Sequence, residues 1–95
     1  MPKKEIYKFS DPERVQQLAN QYLGYGVQVY LSNKKDKKYL VFNPSGAKVH
    51  FGQMGFQDFT KHKDTKRRDL FKKRNAKWAK ASKWSPAYLA YYLLW

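Results

Sequence analysis

The sequence predicts an α+β protein, and three observations predict it. The apolar spacing changes from about 3.6 residues to 2 after Gly26, glycine- and proline-bearing turns divide the next stretch into three short runs, and helix-capping residues return at Asp64 and Ser85. The order is therefore an N-terminal helix, a three-stranded antiparallel meander, a long basic helix and a short aromatic C-terminal helix, within a single small basic domain over residues 1–95.

"SDPE" at Ser10–Glu13 reads as a capping box, with Ser10 as the N-cap and Pro12 where a missing donor is harmless. Val15, Leu18, Ala19, Tyr22 and Leu23 then form one apolar stripe and Gly24 supplies the stop, which sets a helix at 11–23. "VQVYLSN" from Val27 alternates, with Val27, Val29 and Leu31 on one face and Gln28, Tyr30 and Ser32 on the other, and forms the first strand. After the polar turn 34–37, "KYLVFN" (38–43) is the second strand, "NPSG" (43–46) a turn, and "AKVHFG" (47–52) the third. Lys38 and Lys48 are expected to guard the sheet edges.

A glycine-punctuated exit at 52–56 leads to a second long helix, capped by Asp64 or Thr65 and running to about Ala81. Its helical projection groups Leu70, Phe71, Trp78 and Ala81 as the packing face, with Arg67 and Arg74 inside that sector able to stack on Phe71 or Trp78. Ser85 and Pro86 open the last helix, "PAYLAYYLLW", which is apolar almost all round and at 10 residues spans about 15 Å, half a bilayer core of roughly 30 Å. Docking Leu89 and Leu93 inward is expected to leave Tyr88, Tyr91, Tyr92, Leu94 and Trp95 for a partner.

A chain of 95 residues buries a small core, and its 17 aromatics are the means of filling it. Tyr39, Phe42, Phe51 and Trp78 are expected inside; Tyr7 and Tyr30 are left unassigned. The balance of 20 Lys and Arg against 7 Asp and Glu gives +13, and residues 61–95 hold 11 of the cations and two of the acids. Such self-repulsion calls for an anionic partner. A merely solvated helix alternates charge signs, whereas this one is almost purely cationic, so Lys66, Arg67, Arg68, Lys72, Lys73, Arg74, Lys77 and Lys80 form the candidate polyanion-binding set.

His50, Asp58, His62 and Asp64 are the one grouping with metal or catalytic chemistry in reach, but they lack any established ligand spacing. Asp58, Thr60, His62 and Asp64 are instead assigned to a structural turn, where short polar side chains hydrogen-bond backbone. No catalytic residue, metal, cofactor or small-molecule substrate is expected. The absence of cysteine fits a reducing cytosolic or nuclear site of synthesis, and the first residues lack the apolar run of a secretory signal.

Between Tyr39 and Trp95 the chain carries "KVHFG" (48–52), Gly55, Asp58, Phe59, Thr60, His62, Lys63 and Asp64, then "RRDLFKKRNAKW" and the final "LLW". In these residues it resembles a family of small basic proteins of uncharacterised function found across the large nucleocytoplasmic DNA viruses. The resemblance implies a viral protein located in the virion. Joined to the charge pattern, it leads to a non-enzymatic, virion-associated structural protein that binds viral DNA through phosphates without sequence specificity. The alternatives are a minor capsid or cement protein seated on acidic coat-protein surfaces, and a peripheral, not transmembrane, protein of the viral inner membrane.

Overall fold

A computed structural model describes residues 4–95, the side chains from Glu5 onward. The fold is α+β: a three-stranded antiparallel meander with helices and helical turns packed on one face. Helix α1 spans Pro12–Tyr22, strand β1 Tyr30–Leu31, β2 Lys37–Phe42 and β3 Lys48–Gln53; α2 (Phe59–His62), α3 (Thr65–Arg74) and α4 (Pro86–Leu89) follow. A 3-10 turn at Lys4–Lys8 precedes α1, a second at Ala76–Lys80 follows α3, and a π-helical turn at Ala90–Leu94 continues α4.

The cap of α1 is Asp11, one residue later than expected: its Oδ1 accepts from the backbone N–H of Glu13 (3.2 Å) and Arg14 (3.3 Å). Ser10 is instead buried, spent on a polar network described below. Val15 and Ala19 are fully buried, and Leu23 closes the helix.

Strand β1 is far shorter than its alternating sequence suggests. The cause is Gln16 of α1, whose side chain takes the place of a neighbouring strand: its Nε2 donates to Val27 O (2.9 Å) and its Oε1 accepts from Val29 N (2.8 Å). Satisfied by one amide, residues 27–29 need no ladder. Only Tyr30 and Leu31 pair with β2, opposite Leu40 and Tyr39.

In the β2–β3 ladder Tyr39 faces Phe51 and Val41 faces Val49. Tyr39, Val41 and Phe51 are fully buried and pack with Ile6, Val15, Ala19, Leu89, Leu93 and Leu94. The opposite face carries Tyr30, Leu40 and Phe42, and Phe42, expected in the core, is 42% exposed there. Asn43 builds the hairpin turn, its Oδ1 accepting from Ser45 N (3.0 Å) and Ala47 N (2.9 Å).

Gly52 is indispensable for a local reason. Its φ is +83°, and a Cβ there would lie 2.9 Å from Leu94 Cδ1 and 3.1 Å from Lys38 Cβ. The bare backbone lets both side chains close over the sheet.

Lys38 does not guard an edge. Strand β2 is central, and Lys38 is 2% exposed in a buried ion pair with Asp58, Nζ to Oδ2 2.9 Å. Lys48 does lie exposed on the edge strand β3. Leu94, expected to face outward, is 2% exposed and belongs to the core.

Candidate functional site

The segment Asp58–Asp64 is a double cap. Asp58 caps α2, its Oδ1 accepting from Thr60 N (3.0 Å) and from the Thr60 hydroxyl, while its Oδ2 receives Lys38. Since Thr60 spends its proton on Asp58, Ser10 donates to Thr60 Oγ1 (3.1 Å), and Tyr39 donates to Ser10 (2.6 Å). Three hydroxyls, those of Tyr39, Ser10 and Thr60, thus pass donors in sequence onto Oδ1 of Asp58, while Lys38 donates to its Oδ2. Lys38 Nζ also donates to Phe56 O (2.7 Å), and the N-terminal segment is tied in through Asp58 N to Phe9 O (2.9 Å). Burial lowers the Lys38 pKa, against the opposing pull of Asp58. Burial likewise raises that of Tyr39.

Lys63 turns the chain in the left-handed region, φ 55°, and Asp64 caps α3 through Lys66 N (3.0 Å) and Arg67 N (3.2 Å). His62 Nδ1 accepts from Asp64 N (2.9 Å), which leaves the proton on Nε2, a buried atom without a protein partner. Burial, then Arg67, lowers the His62 pKa. His50 lies on the sheet, bonded to Ser32 Oγ (2.7 Å). Each member of the sequence-derived His/Asp grouping has its own local partner, and among the described residues no three such side chains converge on a possible metal position.

Helix α3 ends sooner than expected. Asn75 folds back, its Nδ2 donating to Phe71 O (3.1 Å), and a 3-10 turn carries Trp78 edge-on to Phe71 at 5.7 Å. Asparagine competes with helical backbone bonding, and here it wins. Lys77 and Lys80 consequently leave the helix but stay exposed on the turn.

No residue of α3 is buried. Its inward side is held by rings: Phe71 stacks on Trp95 (4.3 Å, 7° between planes), Arg68 lies 4.5 Å from the Phe59 centroid, and Lys72 4.7 Å from that of Tyr91. Burial, then Arg68, lowers the Lys72 pKa. Arg67 and Arg74 do not make the stacking contacts; Arg68 and Lys72 do. Leu70, expected to pack, is 56% exposed. Around it Lys66, Arg67, Lys73 and Arg74 share one outward sector, i, i+1, i+7 and i+8 on the helix.

The C-terminal aromatics serve as the bed for α3 and α1. Tyr92 sits between Tyr22 (5.1 Å) and Tyr88 (4.5 Å) and donates to Ala79 O (3.1 Å); Trp95 also touches His62 at 5.2 Å. Tyr88, Tyr91, Tyr92 and Trp95 are half-buried, and burial raises the Tyr88 pKa.

The outward sector of α3 carries four cations; the helix's one acid, Asp69, lies 3.8 Å from Arg68 and stands at the edge of that sector, three residues after Lys66 and four before Lys73. Fold and surface together define a small, strongly basic α+β protein with a cationic helix laid on an aromatic bed. The chain belongs to a family described as "Family of unknown function (DUF5754)", whose pattern matches residues 27–75, just over half of the 95 residues. That match takes in the whole sheet, α2 and α3. No curated protein and no solved structure matches the chain. No helix among the described residues is long and apolar enough to cross a membrane.

Proposed function

We propose that the protein is a non-enzymatic, virion-associated structural protein that binds a polyanion, viral DNA in the first place, through its phosphates and without reading sequence. The observation that carries this is the outward sector of α3, where Lys66, Arg67, Lys73 and Arg74 are exposed together. Exposed Lys77 and Lys80 extend it along the following turn. The first turn of α3 holds Lys66, Arg67 and Arg68 and no acid. The N-cap carboxylate of Asp64 and the exposed Asp69 leave these cations in excess, and a bound phosphate would offset the remainder. Long cationic side chains without a fixed base-reading geometry contact the backbone of DNA, not its base edges.

The coat-protein alternative seats the same basic helix on acidic coat surfaces and puts the C-terminal aromatics in an interface; Leu94 is in the core and Tyr92 and Trp95 are engaged by α1 and α3, which takes support from the second part. The DNA assignment therefore has the stronger support. Its test is binding to two 30-base-pair duplexes of unrelated sequence. Similar affinity for both, weakened alike by the triple variant Lys66→Ala, Lys73→Ala, Arg74→Ala, is expected. These three side chains have no role in the fold, so a triple variant that binds as the parent does would overturn the proposal.

A further inference from the structure

We propose that the outer face of the sheet is a second binding surface, for single-stranded nucleic acid, on which Tyr30 and Phe42 stack unpaired bases and Lys48 meets the phosphates. The two rings belong to neighbouring strands and lie edge to face at 5.8 Å, 48% and 42% exposed, above the nearly buried Leu40. Lys48 stands directly opposite Phe42, and His50 directly opposite Leu40.

The charges acting on His50 are Lys34, Lys48 and Lys37, all positive. An aromatic pair on a cationic sheet face combines the two components that grip single strands, a π-surface for bases and cations for the backbone. A duplex cannot use such a surface, because its bases present edges in the grooves and keep their faces stacked. A second copy of the chain is a poor occupant, since it would set Lys48 against its own image. Charge complementarity thus points to an anion, and the exposed rings point to an unstacked base.

The proposal stands apart from the α3 surface and is tested apart from it. Fluorescence anisotropy with a 20-nucleotide oligothymidine and a 20-base-pair duplex would compare the parent with a Tyr30→Leu, Phe42→Leu variant, which keeps apolar bulk in both strands but removes the rings. A loss of at least about 10-fold on the oligothymidine with duplex affinity unchanged is expected, from two stacked bases forgone. Photo-crosslinking of the parent to a 5-iododeoxyuridine oligonucleotide needs no variant to fold, and adducts at Tyr30 or Phe42 are expected. Absence of oligothymidine binding, unchanged affinity in the leucine variant, equal loss on both nucleic acids, a change of oligomeric state, or adducts confined to Trp78, Tyr91 and Trp95 would each overturn the assignment. The Lys66, Lys73, Arg74 triple variant should lose duplex affinity and leave the crosslink position where it is.

Discussion

Replacing Asp58 with asparagine removes the carboxylate that faces the Lys38 ammonium in a site where both side chains are nearly fully buried, 1% and 3% exposed. The amide oxygen can still accept from Thr60 N, so the α2 cap survives and the loss falls on the ion pair. A lost turn hydrogen bond alone would cost about 1–2 kcal/mol. Leaving a buried charge unpaired costs about 3–5 kcal/mol, and the lower end applies because Lys38 keeps Phe56 O at 2.7 Å. At about 4–8 °C per kcal/mol for a domain of this size, 3 kcal/mol lowers Tm by about 12–24 °C. Thermal unfolding at pH 7 measures it.

The double variant Lys38→Met, Asp58→Asn has no buried charge and should be more stable than Asp58→Asn alone. In Asp58→Asn the two influences that raise the Lys38 pKa are gone and burial acts alone. With the folded pKa depressed, the unfolded state holds more protons, so the variant should regain stability relative to the parent as pH rises toward 10.5. A loss below about 1 kcal/mol, or strictly additive single and double variants, would refute the view that this pair secures the N-terminal segment to the sheet.

Gly52→Ala forces a side chain onto φ +83° and against Leu94 and the Lys38 stem, and should cost about 1–3 kcal/mol, read as a lower Tm. Burial holds the pKa of both His50 and His62 below 6.5, so the unfolded state takes up protons first as pH falls through that value. Stability should be undiminished above pH 6.5 and decline toward pH 5. A His62→Gln variant, which cannot be protonated, should show a shallower decline by thermal unfolding; an identical profile would exclude His62 as a contributor.

Local signals in the sequence were sufficient for the order of elements. The apolar stripe of α1, the Asn43–Gly46 turn, the Asp64 cap and the Ser85–Pro86 helix start all act within a few residues, and each appears in the structure. Long-range pairings were not legible. Nothing in the alternation of 27–33 shows that Gln16 will satisfy Val27 and Val29, and nothing near Lys38 shows that Asp58, 20 residues away, will draw it inside.

The orientation of α3 was misjudged for a related reason. Projecting one helix to Ala81 gave Trp78 and Ala81 a say in its packing face, but Asn75 breaks the helix before them. The inward side is then set by Phe71 on Trp95, with Arg68 and Lys72 beside it, and Leu70 turns out among the cations. The candidate cations were legible from composition; which of them share a surface was not. Phe42 reads as a core ring from its apolarity alone; its exposure follows from its place beside Tyr30 and Leu40 on the face opposite the buried Tyr39, Val41 and Phe51.

The salt dependence of duplex binding tests the central claim most directly. Four contacts from Lys66, Arg67, Lys73 and Arg74, rising to six with Lys77 and Lys80, give a log–log slope of about −3.5 to −5 for affinity against salt. Each cation removed should bring the slope about 0.9 closer to zero, so the Lys66→Ala, Lys73→Ala, Arg74→Ala variant should fall between about −1 and −2.5. A parent slope near zero, or a slope that the triple variant leaves unchanged, would contradict phosphate binding by α3.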